Sequence, residues 1–117
     1  MFLVDTSVWI EHFRKGRPDL ADRLSEGLVL MHPFVSGELA CGNLKDRTAI
    51  LSALAALPMV QPATDSEVLH LIENRRLWGR GLGWVDVHLL ASALLSHCKF
   101  WTFDKRLAQM AAGLGLT

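Results

Sequence analysis

The sequence has few cysteines, no excess charge of either sign and no long apolar run, and each shortage closes a class of readings. Of 117 residues only 2 are cysteine, Cys41 and Cys98. They lie far apart in apolar helical patterns, so they offer neither zinc-ligand spacing nor a disulfide framework. Both are expected to be buried thiols of a reducing compartment, which points to the cytoplasm. Lysine plus arginine number 12 and aspartate plus glutamate number 12, for zero net charge. The basic surplus usual in nucleic-acid-binding domains is therefore missing. No apolar stretch approaches the ~18 residues of a membrane-spanning helix, so no membrane role is expected. The opening residues Met1-Phe2-Leu3-Val4 meet a carboxylate at Asp5, too early for a signal peptide. There is no repeat, linker or low-complexity segment. No G-x-G-x-x-G follows a strand pattern: Gly79, Gly81 and Gly83 follow a helical one and read as a flexible loop.

What remains is a chain that is 50% apolar and 21% charged, too apolar for disorder. Its length suits a single domain over residues 1–117. Residues 2–4 form a short apolar run before Asp5-Thr6-Ser7, which reads as a buried strand and a helix start. Residues 28–31 repeat the pattern, with Pro33 at the favoured first position of the next helix. Residues 46–57 read as an amphipathic helix ended by Pro58, and 59–60 as a weak strand bounded by Pro62. Thr64 and Glu67 have capping-box spacing at the head of a long helix. Residues 84–97 form the most apolar helix, residues 100–103 a strand and 104–112 the last helix. Residues 114–117 read as the beginning of one more strand. Apolar strands alternating with helices predict an α/β fold, a three-layer α/β/α sandwich around a parallel sheet of four to five strands.

In such folds ligands bind outside the carboxyl ends of the strands, and four carboxylates fall near there. Asp5 directly follows the first strand, either as a helix cap or in the crevice. Glu38 shares a helix face with Phe34 and Val35, amid the small residues Ser36, Gly37 and Ala40, and reads as a solvated or a site glutamate. Asp86 lies on a helix apolar nearly all round. A buried carboxylate there needs a partner or a metal, although the first turn of a helix also favours an anion. Asp104 follows the late strand, with Thr102 adding a hydroxyl nearby, and suits an N-cap as well as a site. Four carboxylates at one sheet edge repel one another, and a divalent cation relieves this. Oxygen ligands without a His or Cys cluster suit Mg²⁺ or Mn²⁺ rather than Zn²⁺. The matching chemistry is phosphodiester hydrolysis.

Four segments carry a family resemblance over essentially the whole chain. They are Leu3-Val4-Asp5-Thr6-Ser7-Val8-Trp9-Ile10, Ser36-Gly37-Glu38-Leu39, Gly83-Trp84-Val85-Asp86-Val87-His88-Leu89-Leu90-Ala91 and Thr102-Phe103-Asp104-Lys105-Arg106-Leu107. In order and spacing they resemble the PIN-domain nucleases, and within these the VapC-type toxins of toxin–antitoxin pairs. The resemblance implies a Mg²⁺- or Mn²⁺-dependent endoribonuclease toxin acting on structured RNA such as tRNA or rRNA. Asp5, Glu38, Asp86 and Asp104 would form its catalytic, metal-holding set, with Thr6 and Thr102 as supporting hydroxyls. It also implies a homodimer and a VapB-like antitoxin whose C-terminal segment blocks the active site. A PIN nuclease serving RNA processing, or a non-catalytic PIN domain binding RNA or protein, are the alternatives. Arg75, Arg76 and Arg80 flank the glycine loop and are candidates for the RNA backbone, or simply a solvated helix end. Trp78 beside the loop is a candidate for base stacking. His88, two residues from Asp86, points elsewhere and reads as a packed or interface histidine. With four acids set aside as site residues, 12 basic residues face 8 acidic ones, so zero net charge no longer counts against an RNA substrate.

Overall fold

The computed structural model describes residues 1–117. Strand β1 (Phe2–Val4) is followed by helices α1 (Thr6–Lys15) and α2 (Pro18–Ser25), strand β2 (Val29–Leu30), α3 (Pro33–Cys41), α4 (Arg47–Ala55), α5 (Asp65–Arg75), α6 (Trp84–Leu95), strand β3 (Lys99–Trp101) and α7 (Lys105–Gly113). The strands form a parallel sheet in the order β2-β1-β3, with Leu3 opposite Leu30 on one side and Phe100 on the other. Successive strand residues face opposite sides of a sheet. Leu3 and Val4 are both fully buried, so both faces of β1 are covered. The largest apolar cluster joins these residues to Val8 and Trp9 of α1, Leu89 and Leu90 of α6 and Leu107 of α7.

The sheet is smaller than the four to five strands expected from the sequence. Residues 59–60 supply one parallel bridge, Met31 to Met59. Pro58 and Pro62 flank that segment, and proline cannot donate to a ladder. Residues 114–117 give one sheet-like hydrogen bond, from Phe100 N–H to the Leu116 carbonyl at 2.7 Å. Gly115, with φ +77°, turns the chain just before it. The thiols also divide: Cys98 is buried as expected, whereas Cys41, the last residue of α3, is exposed. The Thr64–Glu67 capping box forms with both of its hydrogen bonds, 2.9 and 3.1 Å. No helix is long and apolar enough to cross a membrane.

A buried polar hub fixes the start of α3, the helix that carries Glu38. His32 is its N-cap, and Nδ1 accepts from Phe34 N–H at 2.9 Å. Its Nε2 lies 3.1 Å from Ser92 Oγ. That hydroxyl donates to the His88 carbonyl and accepts from Ala63 N–H. Its only hydrogen is thus spent, so Nε2 of His32 is the donor and the ring is neutral. Burial, and secondarily the neighbouring His88, lower the His32 pKa from 6.5 to about 4. The unfolded chain therefore takes up this proton before the folded one does. The stability it contributes is present above pH 6.5 and is lost as the pH falls through about 4. A loss of roughly 2 kcal/mol over that window is expected. Asparagine at 32 would keep an N-cap acceptor without titrating. Melting curves of wild type and His32→Asn from pH 7 to 4 check this, and equal pH slopes would contradict it.

Candidate active site

The carboxyl edge of the sheet is where β1 and β3 feed α1 and α7. Asp5 continues the ladder, its N–H donating to the Trp101 carbonyl at 2.8 Å. Its own carbonyl accepts from Val8 and Trp9 and starts α1. Its side chain makes no cap bond to that helix, so the helix-cap alternative is not met. Oδ2 accepts from Ser7 Oγ and from Thr102 Oγ1, both at 2.7 Å. Asp5 is only 8% exposed, so these donors answer the cost of burying its carboxylate. The two hydroxyls lie 3.3 Å apart, but each has one hydrogen and has given it to Asp5. As acceptors they hold the next turn of chain: Thr102 Oγ1 takes Asp104 N–H and Ser7 Oγ takes Phe103 N–H, both at 3.1 Å.

The remaining carboxylates are each held by a donor of their own. Glu38, exposed on α3, accepts from Thr6 Oγ1 through Oε1 at 2.8 Å. Asp104 is the N-cap of α7, with Oδ1 accepting from Leu107 N–H at 3.0 Å. The N-cap alternative for Asp104 is thus met, and its other oxygen has no protein donor. Asp86 departs from expectation. It is half-buried rather than buried, since full burial of α6 begins one residue later, at Val87. Its Oδ2 accepts from Gly83 N–H at 3.0 Å.

A common pattern runs through all four. Each carboxylate spends one oxygen on a protein donor and leaves the other without one. None of the four is in an ion pair, since the chain's ion pairs involve Glu11, Asp19 and Asp65. Helix N-termini compensate the negative charge instead: Asp5 and Asp104 precede α1 and α7, and Asp86 lies in the first turn of α6. The set is nonetheless open, and no three acidic, His or Cys side chains close around a single point. Hydrogen bonds join Asp5, Ser7, Thr102 and Asp104 in one network and Thr6 to Glu38 in another, while Asp86 is tied only to Gly83. A hydrated Mg²⁺ fits such a set, because it takes one or two carboxylates plus water and substrate phosphate rather than an all-protein cage.

Ser7 is the site residue that sequence reasoning passed over. Its signal was the run of polar residues straight after a buried strand, but its partners lie 95 and 96 positions away. The arginine candidates are exposed. Arg80 Nε caps the preceding helix on the Arg76 carbonyl at 3.0 Å, so part of its guanidinium is already used. Trp78 is 58% exposed beside the loop. His88 is packed, as expected, with Nε2 on Asp65 Oδ1 at 2.9 Å and its ring against Phe34 and Trp84.

The model of the PIN domain matches residues 2–113 of the chain. Ribonuclease VapC32 of Mycobacterium tuberculosis, in strains CDC 1551 / Oshkosh and ATCC 25618 / H37Rv, is 48% identical over 117 residues, which is 99% of this chain and 94% of that protein. With its acidic set on a parallel α/β scaffold, the chain belongs to the PIN-domain family and is VapC-like within it.

Proposed function

We propose that this chain is an endoribonuclease toxin of a type II toxin–antitoxin pair, dependent on Mg²⁺ or Mn²⁺, and that residues 1–117 act as one PIN domain in a three-layer α/β/α arrangement. The observation that carries the reading is the shared state of the four carboxylates, each fixed through one oxygen and open at the other. A name containing ribonuclease on a relative 48% identical over nearly the full length supports it.

Asp5, Glu38, Asp86 and Asp104 would hold the cation, directly or through water. Bound there, the cation supplies charge stabilisation at the phosphate and lowers the pKa of an attacking water. The protein's own part is placement. Ser7 and Thr102 hold Asp5 through Oδ2 and leave Oδ1 without a protein donor, and Thr6 fixes the reach of Glu38. The capping bonds to Gly83 and Leu107 hold Asp86 and Asp104 at their helix starts, so little side-chain freedom is left to lose on binding. Arg75, Arg76 and Arg80 would grip the RNA backbone outside the cleft. A structured RNA such as tRNA or rRNA is the substrate class we favour, in the cytoplasm.

The partners proposed are a VapB-like antitoxin and a second copy of the chain. A groove of about 490 Å³, with Ile10, Phe13, Leu39 and Ile50 among its lining and Glu38 on its wall, supports an antitoxin segment that covers the acidic edge.

The test is cleavage of a tRNA and rRNA panel in Mg²⁺, in EDTA, and in EDTA followed by excess Mg²⁺. We expect cleavage in the first, none in the second and recovery in the third. Tight RNA binding with no metal-dependent cleavage would instead make the chain a binding PIN domain.

A further inference from the structure

We propose that Arg106 is a phosphate-binding residue of the RNA cleft, held ready by close packing on Gly81; the proposal rests on the ribonuclease reading above. Arg106 is the second residue of α7, two positions after Asp104. Its side chain crosses to the glycine loop ahead of α6. A Cβ built on Gly81 would collide with Nη1 of Arg106 and would lie 3.2 Å from Cζ and 3.3 Å from Cδ. The guanidinium therefore occupies the space that any other residue at 81 would fill. Gly81 also has φ +77°, a conformation that favours glycine in its own right.

Two properties suit this arginine to an anion from outside. It lies against the Gly81 backbone from Cδ to Nη1, which removes some of the rotamers open to a free arginine. It is also unpaired. The ion pairs of the chain join Arg14 and Lys15 to Glu11, Arg17 to Asp19 and His88 to Asp65, and Arg106 is in none. Two site carboxylates belong to the elements that meet at this contact. Asp104 starts its own helix, and Gly83 is two residues beyond Gly81, within ~7 Å of it along the chain. Gly83 N–H is the donor that holds Asp86.

An exposed cation that lies against the glycine loop, on the helix that Asp104 caps, and is in no ion pair is free for an anion from outside. Its planar fork matches two oxygens of a phosphate, and RNA brings one phosphate per nucleotide. Arg80 is less available, with Nε committed to the Arg76 carbonyl. Gly81 is then part of the binding surface through what it lacks, a side chain that would push the fork away.

The experiment measures RNA affinity over a NaCl series in the cleavage-impaired Asp5→Asn background, with Arg106→Gln, Arg106→Lys, Gly81→Ala and the Gly81→Ala/Arg106→Gln pair. Arg106→Gln is expected to weaken binding roughly tenfold or more and to flatten the slope of log affinity against log salt by about one. Arg106→Lys should keep the slope and lose part of the affinity. Gly81→Ala should weaken binding when arginine is present and have no further effect once it is glutamine. Unchanged affinity and slope in Arg106→Gln would overturn the proposal. So would a lowered melting temperature with an unchanged slope, which assigns Arg106 to structure, or additive losses in the pair. Cleavage by the unaltered protein is measured in parallel. Its absence defeats the ribonuclease reading, whereas undiminished cleavage by Arg106→Gln defeats only the role of Arg106.

Discussion

Asp5→Asn is expected to cut RNA roughly 10³-fold more slowly than the wild type, while melting within a few degrees of it. The two halves of this result have separate causes. Asparagine keeps an oxygen that can accept from Ser7 and Thr102, so the hydrogen bonds that bury the side chain survive. The other carboxylate oxygen becomes an amide nitrogen, which carries no charge and donates rather than accepts. A cation held as proposed would lose its most buried ligand, and a loss of several kcal/mol of transition-state stabilisation corresponds to about three orders of magnitude in rate. The check is single-turnover cleavage of a labelled RNA beside a thermal melt in EDTA. Full activity in Asp5→Asn would remove Asp5 from the mechanism. A collapse in melting temperature would make it chiefly a structural residue.

Thr102→Val should be the most damaging of the changes that leave every carboxylate in place. Valine fills the same space but returns no hydroxyl. Asp5 Oδ2 would lose one of its two donors, and Asp104 N–H would lose its acceptor. Thr102 is 9% exposed, so water is poorly placed to replace either. A hydrogen bond to a buried charged group is worth about 2 kcal/mol, which predicts a melting temperature lower by roughly 5–10 °C. Activity should fall 10- to 100-fold, the usual cost of removing a group that orients a ligand. Thr102→Ser restores the hydroxyl without the methyl group and should recover most of both. If valine and serine behave alike, packing and not hydrogen bonding is what Thr102 contributes.

Local order was readable from the chain alone. Short apolar runs that stop at small polar residues marked β1 and the starts of α1 and α7, and Thr64 with Glu67 marked the start of α5. Asp5, Asp86 and Asp104 were readable because each follows or opens an element whose type is evident in the sequence, and Glu38, in the middle of α3, because it shares a face with Phe34 and Val35. Properties set by distant chain were not readable. Ser7 gains its role from Thr102 and Phe103, and Gly81 from Arg106. Apolar content along α6 suggested a buried Asp86, but the first turn of a helix lies at its exposed end, where Trp84 is still 43% exposed. Strand count failed for a local reason: Pro58 and Pro62 and the turn at Gly115 leave flanking segments that touch the sheet through a single bridge or hydrogen bond.

Those same short contacts bear on how two copies of this chain could meet. On β3, Lys99 and Trp101 direct their groups toward β1, and Phe100, which faces outward, donates its N–H to Leu116. On the other side, Met31 spends both its N–H and its carbonyl on the segment between the two prolines. Strand addition from a neighbouring molecule needs free edge groups, and at Phe100 N–H and at Met31 these are committed within the chain. At those positions a continuous sheet across two copies, or edge-to-edge aggregation, would first have to displace a bond within the chain.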